Sequence, residues 1–89
     1  MKNTNLVLKS YYNGKEISLG DEICYESSMK DPERYLYVCN IVVGSDGKTL
    51  NVYAINKKLD TIQHVSLSTV MFTGKNNKTI IKLAEELRK

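Results

Sequence analysis

The chain has 89 residues, of which 42% are hydrophobic and 26% are charged, and its formal net charge at pH 7 is +3. This composition is typical of one globular domain, residues 1–89, and excludes a disordered chain. No apolar run approaches the roughly 18 residues that span a membrane, and the first residues lack the continuous apolar segment of a signal peptide, so we expect a cytoplasmic protein with no membrane partner.

The first third of the chain predicts three short strands. The strand LVLKSYY (6–12) ends at Asn-Gly (13–14), a frequent two-residue hairpin turn because both positions tolerate a positive φ. The chain returns as KEISL (15–19), turns again at Gly-Asp (20–21), and continues as EICYE (22–26). Apolar residues alternate with polar ones in the returning strands, which indicates one buried face.

Residues 27–34, SSMKDPER, form the longest polar connection. The run Asp31-Pro32-Glu33 is compatible with one helical turn, with Asp as the cap and Pro at the first position. We prefer a plain surface loop. Because loops on a rigid scaffold often carry binding residues, this segment is a candidate functional loop.

The middle of the chain predicts a second hairpin, in which strands 35–43 and 49–55 flank a Gly-Ser-Asp-Gly turn. Alternation along both strands places one set of side chains on a wholly apolar face. This predicted core face carries Tyr37, Cys39, Ile41, Val43, Leu50, Val52 and Ala54. We therefore expect the first two of these side chains to be walls of the core.

The opposite face of this hairpin is mixed in character. It is predicted to pair Asn40 with Asn51 and Val42 with Thr49, and it also carries Tyr53. If the hairpin contacts a partner, we expect the contact to be made by this face.

The last third of the chain predicts a bent strand and a helix. In TIQHVSLSTVMFTG (61–74) the apolar parity changes at Ser68-Thr69, which indicates a bulge or bend. The segment NNKTIIKLAEELRK predicts a helix over about residues 77–88, with Asn77 as its cap and an apolar stripe that we expect to dock across one open end of a barrel formed by the strands. The stripe consists of Ile80, Leu83, Ala84 and Leu87.

The predicted fold is mainly β, an antiparallel meander of five or six strands over about residues 5–72, followed by one C-terminal helix. The segment ISLGDEICYES, through Leu19-Gly20-Asp21, resembles the I-x-x-G-D-x-V strand-turn of SH3-like barrels, including the Tudor and KOW types. Residues 35–71 are similar to the strand-loop-strand core of that family. The resemblance implies that the meander curls into a small SH3-like barrel.

Motifs that would indicate catalysis are missing from the sequence. It has no phosphate-binding loop, no dinucleotide fingerprint and no nucleophile elbow. The two cysteines, Cys24 and Cys39, are predicted to be free apolar residues in strands rather than a disulfide. With His64 as the single histidine, a zinc site lacks its ligands. We expect no cofactor, no metal and no enzymatic activity.

These observations favour a small, non-enzymatic binding module that docks on another macromolecule. We expect a protein partner, as for an accessory or inhibitor protein of a bacterium or its phage. Surface tyrosines and asparagines are suited to such contacts because tyrosine is enriched in interface hot spots. The partner-binding candidates are Tyr53, Asn40, Asn51, Tyr11 and Tyr12.

Two alternatives remain open at the sequence level. The first is a nucleic-acid-binding regulator, although eleven lysines against two arginines disfavour bidentate recognition of bases. Its phosphate-contact candidates are Lys57, Lys58, Lys75 and Lys78. The second is an enzyme or small-molecule binder built at a dimer seam. A short meander leaves an edge strand that can pair with an extended peptide, and the same edge could also build a homodimer.

Overall fold

The computed structural model describes residues 4–7 and 9–87, which form eight strands and one α-helix. The elements are β1 (Thr4–Val7), β2 (Lys9–Tyr12), β3 (Lys15–Ser18), β4 (Asp21–Tyr25), β5 (Leu36–Gly44), β6 (Leu50–Asn56), β7 (Ile62–Val65), β8 (Val70–Asn76) and α1 (Lys78–Leu87). The predicted mainly-β fold with a C-terminal helix is confirmed.

The main sheet is antiparallel and has the strand order β7-β6-β5-β4-β8. The long strand β5 is its centre. One edge of β5 pairs with β6, and the other edge pairs with β4 at its start and with β1 at its end. β2 and β3 form a separate two-stranded hairpin. Among the described strands the ladder ends at β7 and β8 and does not close into a ring.

Two tight turns join the first strands. Asn13 and Gly14 have φ values of 51° and 79°, so the predicted hairpin turn is confirmed. Gly20 turns the chain between β3 and β4 with a φ of 91°. Its amide donates to the Val38 carbonyl at 2.7 Å, and its carbonyl accepts from the Asn77 amide at 2.8 Å. Hydrogen bonds of Gly20 therefore link the turn before β4 to β5 and to the start of α1.

One apolar core lies against a single face of the sheet. It takes buried side chains from β3 to β7 and from the turn after β3, so each of these strands contributes to it. These side chains are Ile17, Leu19, Ile23, Leu36, Val38, Ile41, Val52, Ala54 and Val65. Burying such groups is the main favourable term for a domain of this size.

A β-bulge in β5 changes which side chains enter the core. Val38 lies opposite Ala54, but Asn40 lies opposite Tyr53, so Cys39 is an extra residue in β5. The extra residue shifts the alternation of side chains between the two faces by one residue. Val38 is therefore fully buried in the core, while Tyr37 is half-buried on the opposite face. The prediction that Tyr37 belongs to the core is therefore wrong. Cys39 is buried, as predicted, but outside this core cluster.

The register of the β5–β6 hairpin also differs from the prediction. Val42 lies opposite Asn51 rather than Thr49, so the predicted pairing of Asn40 with Asn51 is wrong by two residues. The loop is displaced by one residue along the chain, from the predicted 44–48 to 45–49, and the Gly44 amide closes it by donating to the Thr49 carbonyl at 2.8 Å. Because the register shift is an even number of residues, Asn40, Val42, Asn51 and Tyr53 stay on one face, whereas Thr49 lies in the loop before β6.

Asp46 organises this loop. Its carboxylate accepts hydrogen bonds from the amides of Lys48 and Thr49, both at 2.8 Å, and from the Thr49 hydroxyl at 2.7 Å. These bonds favour the ionised form and lower the pKa of Asp46 to about 2.

We expect Asp46→Ala to lower the melting temperature at pH 7 by a few degrees, because three hydrogen bonds are lost. A lowered pKa stabilises the fold above the unfolded aspartate value of about 3.9, and this contribution disappears as the pH falls towards the folded-state value. The difference between wild type and variant, measured by thermal unfolding, should therefore shrink between about pH 4 and pH 2. A difference independent of pH would contradict this role of the carboxylate.

The segment between β7 and β8 is a turn rather than a bend within one strand. The Thr69 amide and hydroxyl both donate to the Ser66 carbonyl, at 3.0 and 2.9 Å. The prediction of a bulge at Ser68-Thr69 is therefore wrong. This turn carries the chain from β7 at one edge of the sheet to β8 at the other.

The connection from β4 to β5 contains two short 3₁₀ turns, Glu26–Ser28 and Pro32–Arg34. Asp31 caps the second turn by accepting from the Glu33 amide at 3.3 Å. The preferred interpretation of a plain loop is therefore wrong, and the alternative helical turn is present.

Helix α1 begins after Asn77, whose side chain accepts from the Thr79 amide at 3.0 Å, so the predicted cap is confirmed. Ile80 is buried, and Ile81 packs against the core. Of the predicted apolar stripe, the side chains of Ala84 and Leu87 lie outside the described part of the chain.

Candidate functional site

The side of β5, β6 and β7 that is turned away from the core is the candidate site, and we call it the outer face. It contains the predicted mixed face apart from Thr49, together with residues of β7. Its members are Tyr37, Asn40, Val42, Asn51, Tyr53, Ile55, Ile62 and His64.

A polar cluster occupies the middle of the outer face. The rings of Tyr53 and His64 meet edge to face, with centroids 5.2 Å apart, and a 3.3 Å hydrogen bond joins His64 Nε2 to Asn51 Oδ1. Asn40 lies directly opposite Tyr53. The structure thus brings together three of the predicted partner-binding residues, Asn40, Asn51 and Tyr53.

His64 is the member of this cluster that the sequence does not single out. His64 lies two residues after Ile62, and side chains two residues apart in a strand lie on the same face, so alternation places His64 beside Ile62 on one face of β7. Without the β6–β7 register, however, nothing in the sequence places it beside Tyr53.

An apolar groove of about 310 Å³ lies between the outer face and α1. Cys39 and Ile80 are buried beneath it, whereas Leu59, Ile62 and Leu83 are 41%, 51% and 36% exposed. Large aliphatic side chains with this exposure around an apolar concavity are typical of a binding surface. The complete lining is Cys39, Asn40, Ile55, Leu59, Ile62, Ile80, Leu83 and Glu86.

Leu59 reaches the groove from a strained backbone. Its φ of 61° lies in the left-handed region, which costs a leucine about 1 kcal/mol. Asn56 holds this loop: its side-chain oxygen accepts from the amides of Asp60 and Thr61 at 3.0 and 3.1 Å. Hydrogen bonds from Asn56 and Thr61 also lower the pKa of the Asp60 carboxyl. Strained residues often occur at ligand-binding positions, so Leu59 supports a role for the groove.

We expect Leu59→Asn to leave the free energy of unfolding unchanged within about 0.5 kcal/mol, because relief of strain at a left-handed position offsets the lost apolar contacts. Leu36→Asn is the matched control, since Leu36 is 7% exposed in the core. That variant should cost about 3 kcal/mol or more. Urea unfolding followed by circular dichroism measures both. A large loss for Leu59→Asn would instead make Leu59 a structural residue.

The two cysteines are free and buried, as predicted. Burial raises the pKa of the Cys39 thiol, although this residue lies beneath the groove. A thiol with a raised pKa is a poor nucleophile at neutral pH. The groove therefore suits binding better than covalent chemistry.

Tyr37 forms a second polar group on the far side of the sheet from the core. Its hydroxyl donates to Glu22 Oε2 at 3.2 Å, and the Thr73 hydroxyl donates to Glu22 Oε1 at 2.7 Å. Burial and the Glu22 carboxylate both raise the pKa of Tyr37. Both carboxylate oxygens of the buried Glu22 are thus satisfied, which is the pattern of a structural residue.

The remaining predicted contact residues lie on other elements. Tyr11 and Tyr12 are exposed on β2, in the separate hairpin. Lys57 and Lys58 are exposed in the loop that also carries Leu59. Two further lysines, Lys75 and Lys78, lie at the junction of β8 and α1.

Among the side chains that the structure describes, no three His, Cys, Asp or Glu groups are placed to hold a metal ion, and within residues 4–7 and 9–87 no helix is long and apolar enough to cross a bilayer. Neither protein-family models, nor curated proteins, nor solved structures match the chain. The function of the outer face must therefore be inferred from its geometry and chemistry.

Proposed function

We propose that the protein is a non-enzymatic module that docks on a partner protein through the groove and polar cluster of the outer face, in an accessory or inhibitory role. The observation that carries the proposal is the ring of exposed aliphatic side chains, Leu59, Ile62 and Leu83, around an apolar groove. Removing such a patch from water on binding is favourable in proportion to its area.

The polar cluster beside the groove supplies the second part of this surface. Tyr53 is held by His64, and Asn40 borders both the cluster and the groove. A tyrosine whose ring is already positioned loses little conformational freedom on binding. Its amphipathic ring is well suited to anchor a protein interface.

A protein partner fits this surface better than a nucleic acid. The lining of the groove is largely aliphatic and includes the carboxylate of Glu86, whereas phosphates require cations. On the separate hairpin, the ammonium group of Lys15 is already engaged by an aromatic ring, because its Nζ lies 4.4 Å from the centroid of Phe72. The Tyr11 hydroxyl donates to Glu16 at 3.4 Å, which places a carboxylate beside the exposed ring.

We also infer that the main sheet is curled into an SH3-like barrel. From Val65 to Val70 the chain takes five Cα steps, at most about 18 Å. A flat five-stranded sheet would separate its edge strands by about 19 Å even without an offset along the strands. Because residues 66–69 form a turn, this comparison of distances supports a curled sheet. A 3.4 Å hydrogen bond from Gln63 of β7 to the Tyr25 hydroxyl of β4 supports this curvature.

Affinity purification of the tagged protein from its source cells, with and without nuclease, tests the proposed function. Leu83→Ser removes an aliphatic side chain from the groove, and Met71→Ser is the matched control, since Met71 is 41% exposed but does not line the groove. We expect wild type and the control to retain a stoichiometric protein after nuclease, and Leu83→Ser to lose about tenfold or more of it. Equal retention by Leu83→Ser, or loss with nuclease, would overturn the proposal.

A further inference from the structure

The two edge strands of the main sheet differ in how well they are protected. An exposed edge can pair with another strand, and proteins usually block it with bulges, lysines or prolines. β8 is blocked: its register with β4 breaks between Asp21 and Ile23, Gly74 has a φ of 90°, and Lys75 follows. These features bend the strand and place a charge on it.

β7 is short, which itself limits pairing at an edge, but it has no bulge, lysine or proline. Its four residues, Ile62–Val65, include no proline and no lysine, and its register with β6 is unbroken. Ile62, Gln63 and His64 are all exposed. Nothing within Ile62–Val65 itself therefore blocks pairing with a further strand.

The backbone groups that are free for pairing follow from the ladder. The Asn56 amide donates to the Thr61 carbonyl at 3.1 Å, which makes these two residues a hydrogen-bonded pair. In an antiparallel ladder hydrogen-bonded pairs alternate with non-bonded pairs. Gln63 and Val65 are thus directed to β6, and the amides and carbonyls of Ile62 and His64 are directed away from it.

We propose, on the basis of the proposed function, that the partner adds an extended segment to β7 as an antiparallel strand. Antiparallel addition continues the pattern of every ladder in the main sheet. Side chains of the added strand alternate between the two faces, and those on the outer face lie beside Ile62 at the groove. The added segment therefore carries aliphatic residues at alternate positions.

The charges around β7 define the end of that segment. Lys57 and Lys58 are exposed in the loop before β7, whereas the carboxylate of Asp60 already accepts from Asn56 and Thr61. In antiparallel addition the C-terminal end of the partner strand lies beside this loop. Acidic residues at that end complement the two lysines.

A second copy of the chain fits this position less well. If β7 paired with β7 of another copy, the residues beside Lys57 and Lys58 would be those that follow the partner's own β7. That segment, residues 66–69, is Ser-Leu-Ser-Thr and carries no charge. Charge complementarity therefore favours a different, acidic partner.

Selection of phage-displayed random dodecapeptides on the wild-type protein tests this inference. We expect enriched peptides to alternate aliphatic residues and to end in Asp or Glu at the C-terminal side. The best peptide is then synthesised with one backbone amide N-methylated at a time. Methylation should weaken binding about tenfold at the amides that face β7 and have little effect at their neighbours, because alternate amides point away from the edge.

Variants of the protein complete the test. His64→Pro and His64→Ala both remove the imidazole ring, but only His64→Pro also removes the outward amide, so it should weaken the peptide about tenfold more than His64→Ala does. Lys57→Glu should weaken the acidic peptide and strengthen the same peptide with a lysine tail. No enrichment, uniform N-methyl effects, or a β7-paired homodimer in light scattering would overturn the inference.

Failure of the inference and failure of the proposed function remain distinguishable. If peptide binding is lost in Leu83→Ser but is unaffected by N-methylation and by His64→Pro, the groove binds a partner without strand addition, and only the inference fails. If Leu83→Ser binds the peptide and the cellular partner as wild type does, the proposed function fails as well.

Discussion

Replacing Gly20 by alanine is expected to lower the free energy of unfolding by about 3 kcal/mol or more. Two penalties act together at this residue. Its φ of 91° is unfavourable for any side chain, and an added Cβ would lie 2.5 Å from the carbonyl oxygen of Asn77. That oxygen belongs to the backbone, so the start of α1 would have to move and the hydrogen bond from the Asn77 amide to the Gly20 carbonyl would be strained.

Gly14→Ala separates the two penalties. Gly14 has a φ of 79°, but an added Cβ meets nothing within 4 Å, so its cost should be the conformational penalty of about 1 kcal/mol alone. Chemical denaturation of both variants measures the difference. Equal losses would mean that α1 does not pack against the β3–β4 turn as described.

Val38→Ala is the second substitution with a large expected effect, a loss of about 2 kcal/mol. Val38 is fully buried in the core, and truncation leaves a cavity among its neighbours. Val42→Ala removes the same atoms from a half-buried position on the outer face and should cost about 0.5 kcal/mol.

The comparison of these two valines tests the bulge at Cys39. Simple alternation along β5 puts Val38 and Val42 on the same face, and the two substitutions should then cost nearly the same. The bulge puts them on opposite faces, so a ratio of several-fold in the loss of unfolding free energy is expected. Equal losses in urea unfolding would contradict the bulge.

The same strand shows why some of the fold could not be predicted. A prediction from alternation assumes that each residue of one strand pairs with one residue of its neighbour. The run Val38-Cys39-Asn40 gives no local indication that one residue of β5 has no partner in β6. The bulge is fixed by the neighbouring strands, including the hydrogen bond from Gly20 to Val38. Tyr37 was therefore predicted on the wrong face.

Features that depend on residues close together in the sequence could be predicted from the sequence. The turn at Asn13 depends on tolerance of a positive φ, and the start of α1 depends on the Asn77 side chain two residues before Thr79. The mixed face was also predictable, because the error in the hairpin register was even. Asn40 and Tyr53 consequently share one face, as predicted.

The groove was not predictable, because it unites distant parts of the chain. Leu59 comes from a turn, Ile62 from β7 and Leu83 from α1. In the sequence, Leu83 belongs to an apolar stripe that should be covered, and Leu59 is an isolated leucine among lysines. Their common exposure depends on the angle at which α1 meets the sheet, and no local pattern encodes this angle.

The affinity of Leu59→Asn for the protein captured by the wild type tests the central claim most directly. A residue that serves only the fold cannot lose binding without losing stability, whereas a contact residue in a strained backbone can. We predict that binding falls about tenfold or more while the free energy of unfolding stays within about 0.5 kcal/mol of wild type. Unchanged binding by a stably folded Leu59→Asn would contradict docking at this groove.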